Sequence, residues 1–543
     1  MALIETVLLL LLAVVVSGAL ARVTRIALPL VQIALGAVIV LVTGRSVDLE
    51  PDVFFLLLLP PLLFLDGWRI PKATLFRDRA VVLELALGLV VFTVVGLGFL
   101  IHWMIPSMPL AIAFALAAIL SPTDPIAVSA IAGRVPMPKR LMHILEGESL
   151  LNDATGLTCM RIAVVAATTG AFSIGSALAT FAWLALAGIA IGVAVTFAVA
   201  WLKTLVSRQW GEDVAAEILI SLLIPFAAYL AAEELHASGI LAAVAAGITM
   251  GFTERRGEAL AMTRIRRATV WDTVQFAANG VIFVILGEQM PSIMSRAAEV
   301  VATTDRGEVW WLAVYVGAIV AALAALRFVW VWTSLHMTLF REKRRGYRKS
   351  TNVRLVAVMS LAGVRGAITL AGILTLPFLL ADGTPLPARN LAIFLAAGVI
   401  IVSLVLATVA LPPLMKGLEL PPEPSHQREE DASRVAAANA ALKAIEQAAH
   451  DMAEGQPDPD VYAEAAAQLM ELYRHRITSH SHGEEADDEE QTLRTTDIER
   501  RLRMAGLVAE RAELIRLSRA RELDEIIARK LIREVDLQEL RFV

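Results

Sequence analysis

Leu120-Ser121-Pro122-Thr123-Asp124-Pro125-Ile126 lies inside a hydrophobic run, and its reading decides the fold. Two prolines three positions apart remove two backbone donors and push the residues before them out of helical geometry. In a bilayer, unwound backbone is tolerated only where it faces protein or a water-filled cavity. Asp124, lodged in the break, then needs a cation or a cluster of N–H groups. A plain proline kink near the interface would instead leave it solvated. A second interruption, Leu361-Ala362-Gly363-Val364-Arg365-Gly366-Ala367-Ile368-Thr369, brackets an arginine between glycines in another apolar run. A guanidinium at that depth keeps its charge and must be paired.

Both runs belong to a chain of 543 residues that is 57% hydrophobic and 19% charged, too apolar for a soluble protein. Its apolar residues fall in blocks of about 20, the length that crosses a bilayer as helix. The expectation is an all-α polytopic membrane protein of about thirteen transmembrane helices. The spans fall near 3–21, 28–43, 52–67, 80–101, 109–131, 141–169, 176–202, 214–235, 238–253, 272–290, 308–337, 355–380 and 389–413. The first run starts almost at once, without a basic leader or a cleavage site, so it reads as a span rather than a signal peptide. With the N-terminus outside, the inner loops hold Arg22, Arg69, Arg134, Lys203, the Arg255–Arg267 group and the Arg341–Arg354 cluster. The outer loops hold only Arg45, Arg296, Arg306 and Arg389, a positive-inside pattern. An odd number of spans then puts the C-terminal region in the cytoplasm.

Counted from the start of each six-span half, the breaks in spans 5 and 12 occupy equivalent positions. Paired interrupted helices of this kind point to two inverted repeats, crossed broken helices and a binding site near the midplane of a transporter.

Span 6 opens with Leu145-Glu146-Gly147-Glu148-Ser149-Leu150-Leu151-Asn152-Asp153-Ala154-Thr155-Gly156. Ser149, Asn152 and Asp153 are i, i+3 and i+4 and share one helical face. Glu148 lies about 140° round from Asp153 and is aimed at another partner. Spans 5, 6 and 12 together supply Asp124, Glu148, Asp153 and Arg365. Arg365 is expected to neutralise Glu148 and Asp124, which leaves Asp153 facing whatever enters. A single open carboxylate can hold a proton or a monovalent cation, and their competition is the simplest route to exchanging one for the other. Oxygen ligands suit Na+ or Li+, and with no His or Cys beside the acids nothing suits a transition metal. Cys159, the single cysteine, reads as a small core residue and excludes an internal disulfide. Glu84, Arg161, Glu217, Asp272, Glu288 and Arg327 read as interfacial side chains or structural pairs, and Asn279 as a residue lining the core. Tryptophans such as Trp310, Trp311, Trp330 and Trp332 read as interface anchors.

Ser121-Pro122-Thr123-Asp124-Pro125, Gly147-Glu148-Ser149-Leu150-Leu151-Asn152-Asp153 and Gly363-Val364-Arg365-Gly366-Ala367 resemble the cation:proton antiporter-1 family. Pro60-Pro61-Leu62-Leu63-Phe64 also looks like that family's third span, and the resemblance covers about residues 1–415. It implies a homodimer in the cell (inner) membrane and a core domain moving against a dimerisation domain. It further implies electroneutral, alternating-access exchange of Na+ or Li+ for H+. Asp153 would be the ion- and proton-binding acid, Asn152 its neighbour, and Ser149 and Thr123 oxygen donors to Na+. Glu148 and Asp124 with Arg365 would form the stabilising ion pair of the core. Family members carry an acid four residues after the third-span Pro-Pro. Leu65 holds that place here and Asp66 follows it, so Asp66 is a further candidate.

The transported ions aside, no cofactor is expected, and no nucleic-acid partner. No metalloprotease, Ser–Lys or phosphate-loop pattern marks the chain as an enzyme. One alternative is exchange of K+ or of several monovalent cations. Another is a membrane sensor of antiporter fold signalling through the tail.

That tail follows a linker at 416–430 containing Pro421-Pro422. Residues 431–543 carry helical periodicity over 431–454, 460–477 and 493–540, and none of these stretches is apolar enough to span. The expectation is a cytoplasmic helical domain for regulation or dimer contact, open to an unknown ligand, or else a solvated appendage. His475, His480-Ser481-His482 and the acidic run Glu484–Glu490 read as a disordered polar loop rather than a metal or pH sensor.

Overall fold

The structure, a computed structural model, describes residues 2–44, 51–70, 72, 82–124, 128, 139–170, 173–211, 213–254, 261–295, 308–343, 353–380, 383–416, 424–454, 459–481, 486–520 and 525–539. The chain divides into two compact units, Met1–Glu419 and Leu420–Val543.

In the first unit the apolar runs are helices, the one open-ended structure that satisfies all its backbone groups within the segment in lipid. They are α1 (Ala2–Thr24), α2 (Leu28–Thr43), α3 (Pro51–Arg69), α4 (Val90–Met104), α5 (Leu110–Leu120), α6 (Lys139–Thr169) and α7 (Ile174–Trp210). Then follow α8 (Val214–Glu234), α9 (Gly239–Glu254), α10 (Ala261–Ser295), α11 (Trp310–Lys343), α12 (Val353–Leu361), α13 (Ala367–Leu374) and α14 (Arg389–Met415). Among the described residues, eight helices are long and apolar enough to cross a membrane, and α2, α5 and α9 are shorter apolar helices. With α3 and the interrupted pair α12–α13 the series reaches the thirteen spans expected.

A π-helical turn, Glu84–Leu89, leads into α4. Wider than α-helix, it accommodates the Trp330 ring against Gly88, where an added Cβ would lie 2.9 Å from Trp330 Cη2. Trp330 therefore packs inside the bundle, against Phe92 at 5.3 Å between ring centroids, and is not the interface anchor expected.

The helices pack as two groups. In one, α9 lies against α3, α7 and α8, and α10 against α1 and α2. In the other, α5 lies between α4 and α6, and α14 against α11, α12 and α13. A charged cluster ties the first group. Glu217 of α8 accepts from Arg267 of α10 at 3.1 Å and from Lys203 of α7 at 2.5 Å. Arg267 also pairs with Glu254 of α9, which accepts from the Trp68 indole of α3 at 2.6 Å. Arg267 is 1% exposed, which is affordable only because two carboxylates face it.

The second unit holds α15 (Pro424–Ala453), α16 (Pro459–Ser481), α17 (Ala486–Arg519) and α18 (Glu525–Glu539). α15 packs on α16, and α17 on α18. Helix α15 begins inside the expected 416–430 linker, with proline at its first position, where a missing N–H costs nothing. The expected helix over 493–540 is two helices clasped by Arg511, whose Nε lies 2.9 Å from Asp536 Oδ1 and which also meets Glu539. The backbone from His475 to Ser481 is helix rather than loop, and the acidic run is helical from Ala486. His482 to Glu485 lie outside the described residues.

Candidate ion-binding site

The two breaks cross. α5 stops at Leu120 and Ser121–Asp124 runs on without helical form, while Ala362–Gly366 is unwound between α12 and α13. The Asp124 N–H donates to the Val364 carbonyl at 2.8 Å, so the unwound stretches satisfy each other. Pro125 lies outside the described residues.

The Asp124 carboxylate rests against Gly366, the residue that caps α13. A Cβ there would fall 2.5 Å from Asp124 Cγ, so the close approach requires glycine. An acid thus sits at the positive end of a half-helix. Arg365 does the converse. Its Nε donates to the Leu120 carbonyl at 2.8 Å, at the end of α5, and its Nη1 donates to the Gly363 carbonyl beyond α12. One guanidinium therefore serves a carbonyl at the end of α5 and another in the unwound stretch that follows α12.

Glu148 is held by a different arginine from the one expected. Arg327 of α11 meets it in a fork, Nη1 to Oε1 at 2.5 Å and Nη2 to Oε2 at 2.7 Å. Their side chains are 3% and 1% exposed. Arg327 Nε also donates to the Met359 carbonyl at 2.9 Å, near the end of α12. The carbonyls at the breaks already occupy Arg365, and Arg327 presents its fork to Glu148. Thr123 Oγ1 donates to Glu148 Oε1 at 3.4 Å and accepts from Asn152 Nδ2 at 3.1 Å. Arg327, Glu148, Thr123 and Asn152 so form one chain of bonds across α11, α6 and the α5 break. Asn152 Oδ1 is buried with no hydrogen-bond partner among the described residues.

Beside this chain lies a cavity of about 40 Å³, lined by Asp66, Thr123, Asp124, Ser149, Asp153, Asn279 and Thr369 among others. A second, more open cavity of about 430 Å³ is lined by Gln32, Asp66, Arg69, Glu146, Asp272, Gln275 and Asn279 among others. Asp66 and Asn279 line both, so the two spaces adjoin at these side chains. Asp153, Ser149, Thr123, Asp124 and Asp66 thus share one cavity. Asn152 joins them through Thr123, and Glu148 and Arg365 stand behind. The offset of one position in the third span does not keep Asp66 away. Thr369 escaped the sequence reading; its signal was a hydroxyl three residues after the helix-opening Gly366. Of the other intramembrane charges, Arg161 pairs with Glu233 at 3.3 Å, Asp272 with Arg69, and Glu217 in the cluster above.

A polytopic helical bundle whose crossed breaks enclose a small carboxylate-lined cavity is a secondary transporter built for a small cation. Over residues 8–417 the chain matches the family described as sodium/hydrogen exchanger, transmembrane, and it belongs to that family. It is a multi-pass membrane cation/proton antiporter, as the motifs led one to expect. An Escherichia coli protein described as an uncharacterised Na+/H+ exchanger is 40% identical over 542 residues, 98% of each chain. A Bacillus subtilis protein named a sodium, potassium, lithium and rubidium/H+ antiporter is 45% identical over 389 residues, 71% of this chain and 57% of that one. The sodium proton antiporter MjNhaP1 of Methanocaldococcus jannaschii shares the fold, with a TM-score of 0.57 at 18% identity, covering 77% of this chain and 99% of that one.

Proposed function

We propose that the protein exchanges Na+ or Li+ for H+ at Asp153, by alternating access and electroneutrally. The observation that carries this reading is the 40 Å³ cavity, which Asp153 lines together with Ser149 and Thr123. Such a space holds one small cation with at most a few waters. A carboxylate that yields one proton for each monovalent cation it takes moves no net charge, which is the basis for electroneutrality. Thr123 and Ser149 supply hard oxygen donors, and Asn152 fixes the Thr123 hydroxyl. Glu148 with Arg327, and Asp124 with Arg365 at the helix ends, balance the buried charge around the cavity. The distribution of basic loops supports an N-terminus outside the cell membrane and a cytoplasmic C-terminal unit, which we assign to regulation or to contact within a homodimer.

A broader selectivity, extending to K+, is favoured by one observation: the 45% identical Bacillus subtilis protein is named for four alkali cations. Dissipation of a pH gradient in everted vesicles, with Na+, Li+ and K+ added in turn, separates the two readings. Asp153→Asn should lose all cation-dependent proton movement, and full activity in that variant would sink the assignment.

A further inference from the structure

Arg69 stands one turn beyond Asp66 on α3, and both line the open cavity that adjoins the buried site. At this spacing a guanidinium can fold back onto the carboxylate of its own helix. Arg69 is instead drawn to α10. Its Nη2 pairs with Asp272, and its Nη1 donates to Gln275 Oε1 at 2.6 Å. Asp272 and Gln275 are themselves i, i+3 on α10 and form a two-point clamp. The clamp sits at the wet end of the cavity, with the Arg69 side chain 38% exposed and that of Asp272 65%. Asp66 and Asn279 are common to both cavities, so Asp66 stands where the open space adjoins the buried one.

We infer that Arg69 is a positioning residue for cation access, held on α10 by Asp272 and Gln275 so that the Asp66 carboxylate stays open to the incoming ion. Released from the clamp, the guanidinium falls back one turn, neutralises Asp66 and places a positive charge on the path. The inference rests on the cation-exchange reading above and deepens it, because it names what governs access rather than what binds. An exposed ion pair such as Arg69–Asp272 contributes little to stability, so its effect should be read in transport and not in folding.

The test is a cation titration of initial rates in everted vesicles at constant ionic strength, using the full-length protein. Asp272→Asn should raise the apparent KM for Na+ about fivefold while Vmax stays within about twofold, the scale of one unit charge a few Å from the path in a partly hydrated cleft. Arg69→Gln combined with Asp272→Asn should return KM to near the wild-type value, because the freed guanidinium is gone. Gln275→Leu loosens the clamp without changing any charge and should raise KM by a smaller factor. That last arm separates a held guanidinium from a mere change in net charge. Unchanged KM in Asp272→Asn, a double variant no better than the single, a fall in Vmax alone, or unchanged KM in Gln275→Leu would each overturn the inference. Absence of cation-dependent proton movement in the wild type would overturn the antiport reading instead, so the two failures are distinguishable.

Discussion

Replacing Arg327 with methionine removes the guanidinium from a carboxylate that is only 1% exposed. The bidentate pair lost is 2.5 and 2.7 Å long, and what remains to Glu148 is the Thr123 hydroxyl at 3.4 Å. Stripping one partner from a buried ion pair costs about 3–5 kcal/mol, because the surviving charge stays buried without compensation. The Met359 carbonyl also loses its donor, which adds roughly 1 kcal/mol or more. At about 2 °C per kcal/mol for a large chain, the melting temperature should fall by roughly 8–12 °C. The assay is thermal unfolding of the purified protein in detergent, followed by the fluorescence of its ten tryptophans. Arg327→Met combined with Glu148→Leu should recover most of the loss, since an apolar pair of similar volume is often as stable as a buried ion pair. A melting temperature within 2 °C of wild type in the single variant, or a lower one in the double than in the single, would refute the pairing.

Substitutions elsewhere in the bundle have equally definite outcomes. Gly366→Ala drives a methyl into the Asp124 carboxylate and should cut transport in the pH-gradient assay by at least about tenfold, with overpacking costing about 1–3 kcal/mol in the melt. Gly317→Ala, where an added Cβ meets nothing within 4 Å among the described residues, should leave both measurements unchanged. Arg267→Met should destabilise by only about 2 kcal/mol, because Lys203 and Trp68 still serve Glu217 and Glu254. Lys203→Met added to it should bring the melting temperature down further.

The fold was legible because bilayer thickness imposes one length on every span and because prolines and paired glycines mark unwound backbone without needing a neighbour. The residues around the small cavity were legible for a related reason: Ser149 and Asp153 share a helical face, and Thr123 and Asp124 lie in the break itself. Partner choice was not legible. Arg327 sits in an apolar stretch where any buried charge must find a counter-charge, but which carboxylate it meets depends on how α11 packs against α4, α12 and α14. The role of Arg365 could have been deduced further. Two interrupted helices leave carbonyls without partners, so a guanidinium between them is satisfied before it needs a carboxylate. The burial of Arg267 was hidden because α10 begins at Ala261, well before the apolar run that suggested a span from 272. The helical state of His475 to Ser481 runs against composition, which favoured a polar loop; helix α16 simply continues through it.

The small cavity has two owners. Thr123, Asp124, Ser149, Asp153 and Thr369 come from the helices and the α5 break of one packed group, and Asp124 is bonded to Val364 across the breaks, as Thr123 is to Glu148 and Asn152. Leu62, Asp66 and Asn279 come from the other group. If the groups slide past each other, the first set travels intact and keeps its ligand geometry, while the second set is exchanged for whatever wall comes next. Substitutions in the first set would then change which ion is held, at equilibrium and equally on both faces. Substitutions in the second would change how fast it is loaded and released, and on one face alone. Selectivity and turnover would in that case be written on separate halves of a single lining and could be altered independently.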